Sequence, residues 1–239
     1  MQKILIFGGW GIANSLLQPL AESLTEHGFQ VELSSIVNIV DPQQLKQQLE
    51  YAQQFDIIIG WSLGGLIAAT LVHHLYTEFH QVKNLITIAS NPQFVADEYW
   101  QAAMPQDRFN DFKESFEKAP NLSFKRFCYL MTQGHAHAKL EWQRLQHLIE
   151  TENQIQQNFA LPLWEKGNYL SILHHKQIAQ LHLFYQEDAL IPEQVAENLV
   201  KLSTQKLKIE VLKGCHAELL IQPNLSIDKM IQFMNALVK

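Results

Sequence analysis

A serine between two glycines is the first feature of this sequence that could do chemistry. Gly60, Ser62 and Gly64 form a G-x-S-x-G pattern between the apolar run "FDIIIG" and the helical pattern "LIAATLVHHL". A strand that turns sharply into a helix strains the turn residue, so its neighbours two positions away must be small. We therefore expect Ser62 to be a nucleophile, with the N–H of Leu63 available to a developing oxyanion. The alternative is that Ser62 merely caps the helix.

A serine nucleophile needs a general base and an acid that orients the base. His216 follows the predicted strand "KLKIEVLKG", and both Glu187 and Asp188 follow the predicted strand "IAQLHLFY". These positions match the chain order Ser, Asp or Glu, His that is typical of a strand–turn–helix nucleophile. We predict Asp188 as the acid, because it precedes the short apolar stretch "ALIP" that leads into a helix. Glu187 is interpreted as a solvated loop carboxylate.

A second glycine-rich loop could supply another oxyanion donor. The stretch "FGGWG" follows the first predicted strand, and Gly8 and Gly9 would let its backbone approach the nucleophile. The N–H of Trp10 is then the expected donor. The alternative is an ordinary glycine turn with Trp10 buried in the core.

The remaining histidines predict no second site. Four of them fall on predicted helices or connections and are expected to be surface or packing residues: His73, His74, His174 and His175. His135 and His137 could form a metal pair, but no acidic residue or cysteine stands near them in the sequence. We therefore expect neither a metal nor an organic cofactor.

Short apolar runs alternate with helical patterns at both ends of the chain. The predicted strands are "KILIF" (3–7), "FQVELSS", "FDIIIG", "KNLITIAS" (83–90), "IAQLHLFY" (178–185) and "KLKIEVLKG" (206–214). This alternation predicts an α/β protein with a mostly parallel sheet covered by helices on both faces. Asp41 before Pro42 predicts a helix start. Residues 93–175 carry only helical patterns, among them "KLEWQRLQHLIETE", so we predict a core (1–92 and 176–239) with an inserted all-helical lid (93–175).

The composition favours a single-domain intracellular protein. The 239 residues are 47% hydrophobic, which is enough for one sizeable core. The formal net charge of -6 gives no sign of a nucleic acid or membrane partner, and two cysteines imply no disulfide framework. The N-terminal apolar run is too short for a secretory signal, and no stretch reaches the length of a membrane span. We expect a cytoplasmic monomer.

The whole chain resembles the α/β-hydrolase family. The resemblance is carried by the strand, the nucleophile turn, the helical insertion and the order Ser–Asp–His. Three stretches, "GWSLGGLIA", "IASNPQFVADEYW" and "RFCYLMTQG", look like the pimeloyl-[acyl-carrier protein] methyl ester esterases of biotin synthesis. The "GGWG" loop is similar to their tryptophan-bearing oxyanion loop. The resemblance implies a serine carboxylesterase that hydrolyses the methyl ester of pimeloyl-acyl-carrier protein.

The same resemblance implies roles for particular residues. It places the catalytic triad on Ser62, Asp188 and His216, and the oxyanion contacts on Trp10 and Leu63. It also implies that a stretch of the lid lines the acyl pocket: Phe127, Cys128, Tyr129, Leu130 and Met131.

A group of basic residues in the lid bears on the partner. Residues 121–147 contain four bases against the single acid Glu141; the bases are Lys125, Arg126, Lys139 and Arg144. A basic patch in an acidic protein suits an acidic partner such as acyl carrier protein, although a solvated helix face is the alternative. Two other functions stay open: a general short-chain carboxylesterase or thioesterase without a carrier protein, and a non-catalytic binding module.

Overall fold

A six-stranded parallel sheet forms the centre of the computed structural model, which describes residues 1–149, 160–202 and 206–237. The strands are β1 (Lys3–Phe7), β2 (Gln30–Ser34), β3 (Ile57–Trp61), β4 (Asn84–Ile88), β5 (Gln180–Tyr185) and β6 (Leu207–Leu212). They lie in the order β2-β1-β3-β4-β5-β6, and every neighbouring pair is parallel. The mostly parallel sheet predicted from the alternating pattern is therefore confirmed.

The apolar character of the central strands follows from their position. All five residues of β3 and all six of β5 are buried, as expected when helices cover both faces of a parallel sheet. The helices that follow β1 to β3 are α1 (Gln18–Glu26), α2 (Pro42–Ala52) and α3 (Leu63–Phe79). The predicted start of α2 is confirmed, because the side chain of Asp41 accepts hydrogen bonds from the N–H groups of Gln43 and Gln44.

A helical segment connects β4 to β5. Its helices are α4 (Gln106–Lys118), α5 (Pro120–Thr132), α6 (Ala138–Ile149) and α7 (Ala160–Lys166), followed by a 3₁₀ turn (Leu170–His174). The described part of this segment contains no strand, only isolated bridges that join Gln93 to Asn168 and Val95 to Met104. The last residues of the predicted helix "KLEWQRLQHLIETE", 150–152, lie outside the described residues. The division into core and lid domains stays a prediction.

The remaining helices follow the last two strands. They are α8 (Glu193–Lys201) after β5, and α9 (Glu218–Ile221) and α10 (Asn224–Leu237) after β6. Because all six strands are parallel, the loops after β1, β3, β5 and β6 open at the same edge of the sheet. These loops carry Trp10, Ser62, Asp188 and His216 respectively. Within the described residues, none of the helices is long and apolar enough to cross a membrane.

A buried histidine on β5 is held in its neutral form. His182 is fully buried, its Nδ1 lies 2.6 Å from Thr87 Oγ1, and its Nε2 lies 3.3 Å from Gln180 Oε1. Tyr169 stacks on the ring with a centroid distance of 6.4 Å. Burial lowers the pKa of His182 to about 3, because desolvation disfavours the imidazolium.

This shift predicts a loss of stability in mild acid. The unfolded state binds a proton near pH 6.5 and the folded state only near pH 3, so the contribution of His182 is complete above pH 6.5 and is lost as pH falls towards 3. As the pH is lowered from 6.5 towards 3, the free energy of unfolding should therefore decrease more steeply in the wild type than in His182→Gln. The difference in slope should be up to about 1.4 kcal/mol per pH unit. Urea unfolding between pH 5 and 7 measures both slopes. His137→Gln removes a solvent-exposed imidazole and is the control; equal slopes in wild type and His182→Gln would contradict the prediction.

Candidate active site

The turn from β3 into α3 has the strained geometry that the glycine pattern predicts. Ser62 has φ 54° and ψ -122°, a region that a residue with a Cβ rarely adopts. A Cβ on Gly60 would overlap the backbone of Gly64, and a Cβ on Gly64 would overlap the carbonyl groups of Phe7 and Gly8. Both glycines are therefore required by close backbone contacts around the turn. The alternative that Ser62 merely caps α3 is not supported, because the Ser62 side chain makes no cap hydrogen bond to this helix.

Three predicted side chains form one hydrogen-bonded chain. Ser62 Oγ lies 3.0 Å from His216 Nε2, and His216 Nδ1 lies 2.8 Å from Asp188 Oδ2. The side chains of His216 and Asp188 are only 1% and 2% exposed. Since a carboxylate only accepts hydrogen bonds, His216 Nδ1–H donates to Asp188, which leaves Nε2 free to accept the Ser62 proton. This arrangement can activate a serine hydroxyl as a nucleophile.

Asp188 is fixed by the loop that follows it. Its Oδ1 accepts hydrogen bonds from the N–H groups of Leu190 at 2.8 Å and Ile191 at 3.0 Å. The other oxygen, Oδ2, is therefore directed to His216. The residues of "ALIP" thus position the acid through their backbone.

The loop that carries His216 is held at several backbone groups. The indole N–H of Trp61 donates to the carbonyl of His216 at 3.1 Å. Glu218 Oε2 accepts from the N–H of Cys215 at 3.2 Å, and the carbonyl of Met131 in α5 accepts from the N–H of Ala217 at 2.9 Å. The sequence analysis did not predict these hydrogen bonds to the loop of His216. For Trp61, the one feature of the sequence that could have indicated a role was its position inside the G-x-S-x-G pattern.

Glu187 is not the solvated loop carboxylate that the sequence suggested. It is partly buried, and its Oε2 accepts a hydrogen bond from the N–H of Gly214 at 2.7 Å. Its own N–H donates to the carbonyl of Gly214 at 3.0 Å. Glu187 therefore ties the loop of Asp188 to the loop of His216. The interpretation was wrong because the parallel pairing of β5 with β6 brings these two loops together.

The loop after β1 lies directly against the nucleophile. A Cβ built on Gly9 would lie 3.1 Å from Ser62 Cβ and 2.6 Å from the ring of Trp61, so glycine is needed for this approach. The side chain of Trp10 is 1% exposed, as the buried-tryptophan alternative expected. Its ring centroid lies 4.9–5.8 Å from those of five lid aromatics: Phe112, Phe116, Phe124, Phe127 and Trp164.

An apolar cavity opens beside Ser62 and His216. Its volume is about 40 Å³, and it is lined by Asn91, Phe94, Val95, Met104, Phe109, Phe127, Trp164, Leu190 and Ile191 in addition to these two residues. Buried water needs roughly 10–15 Å³ per molecule on this scale, so the cavity has room for about three water molecules.

The stretch of the lid predicted to line the acyl pocket does so at a single position. Phe127 lines the cavity, whereas Tyr129 and Leu130 are 44% and 37% exposed, and Cys128 and Met131 are buried outside the cavity lining. The reason is that all five lie on α5, where successive side chains point about 100° apart. Five adjacent helical residues therefore cannot all face one cavity.

The basic residues predicted for the partner are on the surface. Lys125 and Arg126 on α5, and Lys139 and Arg144 on α6, are all exposed. Arg144 forms an ion pair with Glu141 at 3.6 Å. Arg144 is exposed whereas Glu141 is partly buried, and the pair offsets the charge that Arg144 adds to the surface.

The cysteines and the histidine pair do not provide a competing centre. Burial raises the pKa of both Cys128 and Cys215 to about 12, so neither thiol is a ready nucleophile near neutral pH. Nδ1 of His135 accepts from the N–H of His137 at 3.1 Å. Among the residues that the structure describes, no group of three or more His, Cys, Asp or Glu side chains could hold a metal.

Comparisons with known proteins agree with this architecture. A family model described as "Thioesterase domain" matches residues 43–236. A pimeloyl-[acyl-carrier protein] methyl ester esterase of Vibrio vulnificus is 25% identical over 96% of this chain and 93% of its own length. An esterase structure from Exiguobacterium antarcticum has a TM-score of 0.78 at 16% identity, covering 98% of this chain and 92% of its own.

A further solved structure identifies the fold. An alpha/beta hydrolase enzyme from a deep-sea metagenome library, MGS-M2, has a TM-score of 0.72 at 15% identity, over 98% of this chain and 89% of its own. Together with the parallel sheet and its flanking helices, this likeness shows that the chain has the α/β-hydrolase fold.

The identity of the acid can be tested by the reactivity of Ser62. Asp188→Asn is expected to slow labelling of Ser62 by a fluorophosphonate by about 10³–10⁴-fold, because the amide cannot hold the required tautomer of His216. Glu187→Gln should slow it by less than about tenfold, since its amide oxygen can still accept from Gly214. Mass spectrometry gives the labelling rates, with Ser62→Ala as the blank. The reverse ranking would mean that Glu187 is the acid.

Proposed function

The chain belongs to the thioesterase-domain family, and on that premise we propose that it is a serine carboxylesterase that hydrolyses the methyl ester of pimeloyl-acyl-carrier protein in biotin synthesis. The hydrogen-bonded chain from Ser62 through His216 to Asp188 carries the proposal. The proposed substrate is the one after which the Vibrio vulnificus relative is named, and that relative is similar over nearly the whole chain.

The proposed reaction proceeds in two steps through an acyl-enzyme. Ser62 Oγ attacks the ester carbonyl while His216 Nε2 takes its proton, and Asp188 stabilises the imidazolium. The amides of Leu63 and Trp10 donate to the oxyanion of the tetrahedral intermediate. His216 then protonates the departing methoxide to give methanol. Water attacks the acyl-enzyme with His216 again as base, which releases the carboxylate and restores Ser62.

The cavity beside Ser62 is suited to an alkyl chain. Most of its lining is apolar, with Phe94, Phe109 and Phe127 among the contributors, so a methylene chain would be removed from water at about 0.8 kcal/mol per CH₂. A volume of about 40 Å³ is small for such a chain. The proposal therefore includes an outward movement of lid helices when substrate binds.

A surface on α5 and α6 supports a carrier protein as partner. We call it the lid patch and define it as Leu122, Lys125, Arg126, Tyr129, Leu130, Lys139 and Leu140. Its apolar members are unusually exposed, with Leu122 at 50% and Leu140 at 63%. Exposed apolar side chains between bases are typical of a docking surface rather than of a solvated helix face. An acidic carrier protein has the charge that this patch would attract.

The name of the matched family favours a second reaction at the same serine. A carrier-bound pimeloyl methyl ester contains both an ester and a thioester, and the acyl-transfer chemistry of Ser62 is the same for both. The two reactions differ in their products. Ester cleavage gives methanol and a carrier that keeps its acyl chain, whereas thioester cleavage frees the carrier thiol.

The proposal predicts methanol release from carrier-bound pimeloyl methyl ester. Ser62→Ala should lower kcat by about a millionfold, because loss of a triad nucleophile removes the covalent route. Mass spectrometry of the carrier identifies the bond cleaved, and circular dichroism checks that the variant is folded. A free carrier thiol would establish the thioesterase reaction instead. Activity of Ser62→Ala within tenfold of the wild type would contradict a role for Ser62 as nucleophile.

Charge reversal in the lid patch is expected to weaken carrier docking selectively. Arg126→Glu with Lys139→Glu should lower kcat/KM for the carrier-bound ester by about three- to thirtyfold, since exposed charges contribute about 0.2–1 kcal/mol each. Hydrolysis of p-nitrophenyl butyrate should be nearly unchanged, because this small ester does not reach the patch. The wild-type preference for the carrier-bound substrate should also weaken as salt rises.

A matched double variant controls for net charge. Arg108→Glu with Lys118→Glu makes the same charge change on exposed residues of α4, outside the patch, and should keep carrier-dependent activity. If the patch variant hydrolyses the carrier-bound ester as fast as the wild type, the surface does not dock a carrier. The general esterase function would then be preferred.

A further inference from the structure

One polar atom in the wall of the active-site cavity lacks a partner. Trp164 on α7 is 6% exposed and lines the cavity, and within the described part of the chain its indole Nε1 has no hydrogen-bond partner. A buried donor without an acceptor costs about 1–3 kcal/mol. Native proteins contain few such groups, and each one calls for an explanation.

The other polar side chains of the cavity wall are already engaged. Ser62 and His216 hydrogen-bond to each other. Asn91 Oδ1 accepts from the indole N–H of Trp100 at 2.8 Å, and Asn91 Nδ2 donates to the carbonyl of Ala102 at 2.7 Å. Trp164 therefore differs from its polar neighbours in the cavity wall, because its donor has no acceptor among the described residues.

The orientation of Trp164 is fixed by aromatic neighbours. Its ring stacks on Phe94, with centroids 6.3 Å apart and an angle of 17° between the planes. It also contacts Phe112 at 5.3 Å, Phe127 at 5.8 Å and Trp10 at 5.0 Å. None of the three phenylalanine side chains can accept a conventional hydrogen bond from an indole N–H.

We propose that the indole N–H of Trp164 binds an oxygen on the acyl chain of the substrate, so that the cavity selects chains with a second carbonyl over plain hydrocarbon chains. The inference rests on the proposed esterase function and specifies its substrate class. A hydrocarbon chain that fills the cavity keeps the N–H buried and unpaired. A chain with a distal carbonyl supplies the acceptor, and sites that use such a donor discriminate against substrates that lack the matching group.

Two methyl esters of similar length test the proposal without a carrier protein. Dimethyl pimelate has a second carbonyl, whereas methyl nonanoate has only methylene groups at the corresponding positions. The quantity measured is the kcat/KM for dimethyl pimelate divided by the kcat/KM for methyl nonanoate. Trp164→Phe should lower this ratio by about two- to tenfold, which is the range expected for one neutral hydrogen bond. Trp142→Phe is the matched control, since it removes an indole N–H that donates to the carbonyl of Lys125 outside the cavity lining, and it should leave this ratio unchanged.

The same ratio measured by binding keeps the test independent of turnover. Dissociation constants of both esters are measured in the Ser62→Ala background, with and without Trp164→Phe, by calorimetry. If the wild type hydrolyses neither free ester, the binding ratio still decides the role of Trp164, while methanol release from the carrier-bound ester decides the proposed function. An unchanged binding ratio in the Trp164→Phe background, or an equal change in Trp142→Phe, would overturn the proposal.

Discussion

The strained backbone of Ser62 is the constraint on which the rest of the site depends. A positive φ at a residue with a side chain costs about 1–3 kcal/mol, and surrounding contacts must offset this cost. The N–H of Ser62 donates to the carbonyl of Ile88 in β4 at 2.8 Å, and its carbonyl accepts from Gly65 at 2.9 Å. The turn is thus held between two central strands and the first turn of a buried helix. The serine hydroxyl can point at His216 because the backbone is not free to relax.

The sequence was sufficient for the parts of the site that depend on local geometry. The glycines around Ser62 are needed because backbone atoms touch there, and a glycine pattern is visible in one sequence. Asp188 and His216 could be predicted to lie beside Ser62 because parallel strands place their C-terminal loops at one edge, so that chain order and strand ends restrict the choice to few residues. The same argument predicted the sheet itself, since continuous apolar runs mark strands buried on both faces.

Contacts between distant parts of the chain could not be predicted in this way. The bond from the indole of Trp61 to the carbonyl of His216 joins residues separated by 155 positions, and neither residue type signals it. Glu187 looked solvated because a lone carboxylate after a strand usually is. Its bond to Gly214 depends on the pairing of β5 with β6. The assignment of five consecutive lid residues to the pocket followed a linear motif, whereas the helix directs only Phe127 into the cavity.

Helix α5 takes part in both the cavity and the support of His216, and this restricts the movement proposed for substrate entry. Phe127 forms part of the cavity wall, while one turn later the carbonyl of Met131 accepts from the N–H of Ala217, next to His216. The loop after α5 also packs closely against Glu187, so that a Cβ on Gly134 would overlap that residue. In the movement proposed for substrate entry, the last turn of α5 would stay in place so that His216 keeps its position. The movement would then involve α4, α7 and the first turns of α5, which bring Phe116, Trp164 and Phe124 against Trp10.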